Sequence, residues 1–157
     1  MTSLDRVDLE LLAALSTDPR ATVVALADRL GLSRNTVQAR MARLDRTGAF
    51  LSYERAISTS ALGFPIEAFI SVVVRQAELP RITEEMKGLP EIVYAYGLSG
   101  PVDLLVRVAC RDTQHLFDTD ARILAIVGVE RTETSLVMEE VISHRVTTLM
   151  ELARREG

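Results

Sequence analysis

The sequence predicts an α+β fold, with an N-terminal helix-turn-helix (winged-helix-like) domain followed by a C-terminal ferredoxin-like βαββαβ domain. A change of hydrophobic period carries this prediction. Val23, Leu26 and Leu30 recur at helical spacing, whereas apolar residues over 66–74 alternate with the period of a strand. We expect the helical domain at 1–50, a strand and hinge linker at 51–65, and the ferredoxin-like domain at 66–157.

Three helices are predicted in the first domain. The first covers residues 5–16, and the second ends at Gly31, which can adopt the left-handed backbone conformation. Ser33 has the chemistry of an N-cap for the third helix, which buries Val37 and Leu44. Two short helices joined by a tight turn form a helix-turn-helix, in which the second helix of the pair enters the major groove of DNA.

The outer face of that third helix carries the chemistry of base and phosphate recognition. Asn and Gln bond adenine, Arg bonds guanine or phosphate, and four arginines against one aspartate give residues 33–46 a net charge of +3. The alternative for the whole helix is that it is a solvated helix of a small bundle. For Arg40 there is a further alternative, in which it pairs with a carboxylate of the first helix, such as Asp8, and not with DNA. The candidate DNA-binding residues are Ser33, Arg34, Asn35, Thr36, Gln38, Arg40, Arg43 and Arg46.

Charge is unevenly distributed along the 157 residues, whose net charge is −4. Residues 1–60 carry eight arginines and seven acidic residues, a net charge of +1, whereas residues 61–157 carry ten basic and fifteen acidic residues, a net charge of −5. We therefore expect DNA contact to be confined to the N-terminal module, with two or more modules acting together for useful affinity.

Composition argues against several other classes of protein. No apolar run reaches the roughly 18 residues of a membrane span, and no secretion signal is recognisable, so we expect a cytoplasmic location and no membrane partner. Cys110 is the only cysteine, which excludes an intramolecular disulfide and zinc-type Cys/His spacing. Without a phosphate-binding Gly loop or a paired catalytic carboxylate, we expect no enzyme, no metal and no cofactor.

The second half alternates between strand and helix patterns. Its expected elements are strands at 66–74, 91–98, 102–110 and 129–141, a helix around Ile82 and Met86, and a helix capped by Asp112 or Thr113 and carrying Leu116, Phe117, Ala121 and Leu124. Residues 50–57 alternate like a strand, and the tail 143–157 is compatible with strand, helix or both. Because two helices cover only one sheet face, we expect a partner subunit to cover the other, which carries Phe69, Val73, Leu105 and Val137.

A Gly-Pro-Val-Asp loop joins the two central strand patterns. Gly100 permits a turn that aims backbone N–H groups outward, which suits a carboxylate. Asp103 has the charge to accept an α-ammonium group. Taken by themselves these residues favour the simpler interpretation of an ordinary turn.

The sequence resembles the Lrp/AsnC family of transcription regulators. The resemblance is carried by LDRVDLELLAAL, by PRATVVALADRLGLSRNTVQARMARLDRTGAF, by Gly63, by the run 99–105 and by 127–129. It implies that the C-terminal domain binds a ligand and forms a homodimer that assembles to an octamer. It also implies an amino-acid effector bound between the loop and the last strand of a neighbouring subunit. The effector candidates are Leu98, Ser99, Gly100, Asp103, Thr134 and Ser135.

The function expected from these observations is sequence-specific binding of double-stranded DNA by a transcriptional regulator associated with the nucleoid. Its assembly or DNA binding is expected to respond to a small effector, an amino acid. One alternative is an architectural DNA-compacting protein of the same fold without an effector. A second is an enzyme or metabolic sensor whose helical module binds protein. Val102 stands where family members often have an aromatic residue, so the effector's size is left open.

Overall fold

Three helices pack around one apolar core at the start of the computed structural model, which describes residues 4–156. They are α1 (Arg6–Thr17), α2 (Val23–Leu30) and α3 (Arg34–Arg46). Asp5, Thr22 and Ser33 each cap the following helix with a side-chain oxygen that accepts a backbone N–H. Gly31 ends α2 at a φ of +64°, which confirms the predicted turn. The core side chains include Leu11, Leu26, Val37 and Leu44.

The next six elements alternate as predicted for a ferredoxin-like domain. They are β1 (Ile66–Val74), α4 (Leu79–Lys87), β2 (Ile92–Gly97), β3 (Leu104–Cys110), α5 (Thr113–Leu124) and β4 (Val129–Leu136). The strands form one antiparallel sheet in the order β2-β3-β1-β4. This βαββαβ arrangement confirms the predicted fold class, and Asp112 is the cap of α5.

One face of the sheet is packed and the other is not. Ala68, Ile70 and Val72 point into the packed side and are fully buried against residues of β3, α4 and α5. On α5 the buried residues are Leu116, Thr119 and Ile123, whereas Phe117, expected on the apolar stripe, is 68% exposed. The helix therefore turns a slightly different face to the sheet than its apolar residues indicate.

The linker and the tail differ from the expectations. Residues 51–58 are exposed and contain a short 3₁₀ helix at Tyr53–Ala56 in place of a strand. Alternation alone does not hold a strand without a hydrogen-bonding neighbour. β4 ends at Leu136, and the tail forms helix α6 (Thr147–Glu156). No helix among residues 4–156 combines the length and apolarity needed to cross a membrane.

The described residues divide into two compact units. One contains the residues up to Arg55 together with those from Ile142 onward, and the other is Ala56–Val141. The tail was expected with the ferredoxin-like domain, but its helix α6 contacts α1 in the helical unit. The tail therefore belongs to the first unit.

Candidate DNA-binding surface and effector loop

The start of α3 is fixed by two of the predicted DNA-binding residues. The Ser33 hydroxyl oxygen accepts the backbone N–H of Thr36 at 3.1 Å and lies 2.8 Å from the Thr36 hydroxyl. Both side chains therefore first serve to begin the helix. Their position at its N-terminus also leaves backbone N–H groups and the positive end of the helix dipole pointing outward, where a phosphate binds well.

Four of the predicted side chains stand open on the outer face of α3. Arg34, Asn35, Gln38 and Arg46 are all exposed. Within the part of the chain that the structure describes, no ion pair holds Arg34 or Arg46. This face therefore presents two unpaired cations and two carboxamides, which is the set that base edges and phosphates require.

Arg40 and Arg43 are not free in this way, because both bind carboxylates of α1. The Nη1 atom of Arg40 lies 2.7 Å from Oδ2 of Asp5 and 2.9 Å from Oδ1 of Asp8. Arg43 pairs with Asp8 and lies 3.6 Å from Asp5. The pairing with Asp8 that was considered for Arg40 is thus present, together with one to Asp5. The expectation that Arg43 points freely towards DNA needs the same correction, since its position on α3 faces the first turn of α1.

Asp5 was not singled out in the sequence, although it pairs with both arginines and also caps α1. Its Oδ1 accepts the backbone N–H of Asp8 at 2.9 Å, and Oδ2 of Asp8 accepts the N–H of Asp5 at 3.0 Å, which forms a capping box. The hydrogen bond from Arg40 holds the pKa of Asp5 below its ordinary value. The i, i+3 spacing of the two aspartates at a helix start was the signal available in the sequence.

The predicted effector loop joins β2 to β3 and is exposed at Leu98, Ser99 and Gly100. Gly100 has a φ of +140°, so a residue with a side chain would be strained there. No hydrogen bond to the described residues occupies the backbone N–H of Ser99 or Gly100. These N–H groups are therefore available to an anion such as a carboxylate.

Asp103 stabilises the loop itself. Its Oδ2 accepts the backbone N–H of Val74 at 2.8 Å, and its Oδ1 accepts the Gln76 amide at 2.5 Å. The carboxylate thus joins the loop to the end of β1, the strand that pairs with β3. This arrangement agrees with the simpler interpretation of the loop, in which the carboxylate stabilises the turn.

The two candidates on β4 do not share a surface. Thr134 donates to Oδ1 of Asp120 on α5 at 2.9 Å, so it lies on the helix-covered side. Ser135 pairs with Phe69 and lies on the opposite face. Neighbouring residues of a strand always alternate in this way. In addition, β4 and β2 occupy opposite edges of the sheet, so one chain does not bring these residues to the β2–β3 loop.

A buried carboxylate was missed by the sequence reading. Glu91 is 8% exposed, and its Oε1 contacts Nε2 of His115 at 3.0 Å and Nη1 of Arg122 at 2.9 Å. Its Oε2 has no partner among residues 4–156. His115 was interpreted as a solvated helix residue, but its Nδ1 accepts the N–H of Arg111 at 3.2 Å. The cluster connects the start of β2 to α5.

Comparison with known proteins agrees with this geometry. An AsnC-type helix-turn-helix domain model matches residues 4–45, and an Lrp/AsnC ligand-binding domain model matches residues 67–147. The regulator FL11 of Pyrococcus horikoshii is 28% identical over 145 residues, which cover 92% of this chain and 94% of FL11. AldR of Mycobacterium tuberculosis is 32% identical over 140 residues, 87% of this chain and 78% of AldR.

Solved structures give the same result. E. coli AsnC superimposes with a TM-score of 0.82 at 25% identity, covering 92% of this chain and 98% of AsnC. The two family models follow one another in the order of the two domains seen here. The chain therefore belongs to the Lrp/AsnC family of DNA-binding transcriptional regulators, which are not enzymes.

Proposed function

We propose that this regulator recognises specific DNA sequences through the exposed face of α3. The observation that carries this proposal is that Arg34, Asn35 and Gln38 are all exposed on one helix. The neighbouring residues Ala39 and Ala42 are small, so the helix can approach the base edges closely. Asn and Gln read adenine in the major groove, whereas Arg reads guanine or binds phosphate. Two copies with recognition helices about 34–36 Å apart would read two half-sites one helical turn apart.

The test separates base reading from phosphate binding. A duplex is selected from a random pool by the wild-type protein, and its affinity is compared with that of a mixed-sequence duplex in gel-shift titrations. Asn35→Ala is expected to cost about 1–3 kcal/mol on the selected duplex and to leave mixed-sequence binding unchanged. Equal losses on both duplexes, in a protein that unfolds like the wild type, would contradict sequence reading by this residue.

The second part of the proposal is that an amino-acid effector controls assembly or DNA binding. The match to a ligand-binding domain model supports a ligand. The backbone N–H groups of Ser99 and Gly100, which donate to no described residue, suit its carboxylate. Asp103 already accepts hydrogen bonds from Val74 and Gln76, and we place a further acceptor for the ammonium group on another subunit. An effector bound between subunits shifts their assembly by its differential affinity for the two states.

Calorimetry and thermal unfolding across the twenty amino acids test this part. Stabilisation by at least one of them is expected, together with a change in particle mass by light scattering. Gly100→Ala would strain the loop and weaken that binding. Stabilisation by none of the twenty would instead favour the architectural alternative, a DNA-compacting protein of the same fold. The occupied carboxylate of Asp103 is the observation in favour of that alternative.

Assembly itself is proposed to use the sheet face that the helices leave uncovered. Phe69, Val73 and Leu105 lie on this face and are only partly buried in the single chain, and Tyr96 beside them is 49% exposed. A homodimer over this face, assembling further towards an octamer, would remove them from water. Leu105→Glu is expected to reduce the mass measured by light scattering; an unchanged mass would exclude this interface. We propose that the assembly acts in the cytoplasm, at the nucleoid.

A further inference from the structure

The ion cluster between α1 and α3 contains as many carboxylates as arginines. Arg40 binds Asp5 and Asp8 at 2.7 and 2.9 Å, and Arg43 binds Asp8 while lying 3.6 Å from Asp5. The charges therefore cancel within the cluster. As a result, α3 presents fewer net positive charges to DNA than its four arginines indicate.

The two carboxylates are not equivalent. The side chain of Asp8 is 0% exposed, and it accepts from the backbone N–H of Asp5 as well as from both arginines. A buried charge of this kind must stay paired, because leaving it without a partner is costly. The side chain of Asp5 is 48% exposed. Asp5 is therefore the carboxylate that another anion can replace without exposing or unpairing a buried group.

The cluster borders the surface that would face DNA. Arg40 and Arg43 line one open concavity together with Asn35, Thr36 and Ala39. Their side chains keep 26% and 37% of their surface exposed. If α3 lies in the major groove with Asn35 facing the bases, a backbone phosphate beside it would meet guanidinium groups that already bind the Asp5 carboxylate.

We propose that Asp5 is a specificity-determining residue, whose carboxylate competes with DNA phosphates for Arg40. Carboxylate and phosphate form the same kind of charge-assisted hydrogen bond with a guanidinium. Phosphate contacts carry no sequence information, whereas base-edge contacts do. By weakening the phosphate contacts, Asp5 lowers sequence-independent affinity and leaves a larger share of binding to Asn35 and Gln38. The inference rests on the proposed reading of DNA by α3.

The variant Asp5→Asn removes the charge and keeps the cap, because Asn caps a helix as well as Asp. Glu10→Gln is the matched control: it removes one negative charge from the same helix, at a residue whose described partner is Arg6. Binding to a mixed-sequence duplex and to the duplex selected by the wild type is measured over a range of salt. For Asp5→Asn we expect tighter mixed-sequence binding, a salt slope steeper by about 0.9 for one added phosphate contact, and a smaller ratio between the two affinities.

Glu10→Gln is expected to change neither the slope nor the ratio. A wild-type slope in Asp5→Asn, or an equal gain in Glu10→Gln, would overturn the inference, since the second result would show only a general effect of net charge. If Asp5→Asn is much less stable than the wild type, Asp5→Ser replaces it in the comparison, because Ser also provides an N-cap. Failure of the wild type to bind any duplex would instead contradict the proposed function, and the two failures are therefore distinguishable.

Discussion

The carboxylate of Asp103 accepts the backbone N–H of Val74, with 2.8 Å between Oδ2 and the nitrogen. Val74 is the last residue of β1, and its side chain is buried. The Asp103 N–H in turn donates to the carbonyl of Val72 at 3.0 Å. Asp103 directly precedes β3, so it extends the pairing of β3 with β1 by one residue and gives the Val74 N–H an acceptor.

Asp103→Ala is expected to lower the free energy of unfolding by about 1–3 kcal/mol, because the N–H of Val74 loses its acceptor. Urea denaturation at neutral pH measures the change. Gln76→Ala serves as the control, since it removes the exposed partner of the same carboxylate and is expected to cost about 1 kcal/mol or less. An Asp103→Ala protein of wild-type stability that no longer bound amino acids would return this carboxylate to the effector site.

The sequence predicted the helix-turn-helix well because its signals are local. Gly31 and Ser33 act within four residues of themselves, and the structure gives them the predicted left-handed turn and N-cap. The alternation of β1 was equally informative, since Ala68, Ile70, Val72 and Val74 are all buried in the observed sheet. At these residues the local sequence alone determines the backbone conformation, so it can be predicted without knowing the rest of the fold.

Residues whose roles depend on distant partners were less predictable. Arg43 pairs with Asp8, 35 positions earlier, and Asp103 binds the backbone of Val74, 29 positions earlier. Neither contact has a periodic signal, so each residue was assigned the exposed role that its type suggests. Phe117 is the opposite case, since its apolar type predicted burial on α5 and its ring is 68% exposed.

Gly128 is expected to tolerate a side chain much less well than Gly63. Both have a positive φ, +97° at Gly128 and +89° at Gly63. A Cβ added at Gly128 would lie 2.7 Å from Cβ of Glu78, whereas a Cβ added at Gly63 would have no atom within 4 Å. Gly63→Ala should cost about 1–2 kcal/mol from backbone strain alone. Gly128→Ala should add about 1–3 kcal/mol from overpacking against α4. Thermal unfolding of the two variants tests the order, and equal costs would show that the contact with Glu78 relaxes freely.

Glu91 is expected to make the stability of the ferredoxin-like unit depend on pH. Burial raises the pKa of this carboxyl, but hydrogen bonds from His115 and Arg122 outweigh it and hold the pKa below the ordinary value of 4.5. The charged form is therefore favoured by folding. Its contribution is present above the unfolded-state pKa and is lost as pH falls through the lower folded-state pKa.

Glu91→Gln should accordingly be less stable than the wild type at neutral pH, and its unfolding free energy should fall less between about pH 6 and pH 3. Urea unfolding at a series of pH values measures both effects. Glu84→Gln provides the control, because Glu84 is an exposed carboxylate paired with Lys87 on the surface of α4. The assignment would be wrong if Glu91→Gln kept the full wild-type dependence on pH.

Arg43 and Arg46 are expected to respond differently to truncation, although both lie on α3. Arg43→Ala leaves the buried Asp8 carboxylate with Arg40 as its remaining described arginine, so the free energy of unfolding should fall by about 1–3 kcal/mol. Arg46 is exposed and belongs to no ion pair among the described residues. Arg46→Ala should therefore change stability by less than about 0.5 kcal/mol. It should also weaken DNA binding alike on different sequences and reduce the salt slope by about 1.

Urea unfolding and gel-shift titrations at several salt concentrations, performed on both variants, separate the two roles. Arg43→Lys is a useful intermediate, since it keeps the positive charge but not the planar guanidinium that contacts both aspartates, and it should recover part of the lost stability. If Arg43→Ala instead unfolded like the wild type and lost DNA affinity with the same change in salt slope as Arg46→Ala, Arg43 would be a phosphate-binding residue. The pairing of Arg43 with Asp8 would in that case contribute little to stability, and its guanidinium would be available to a phosphate.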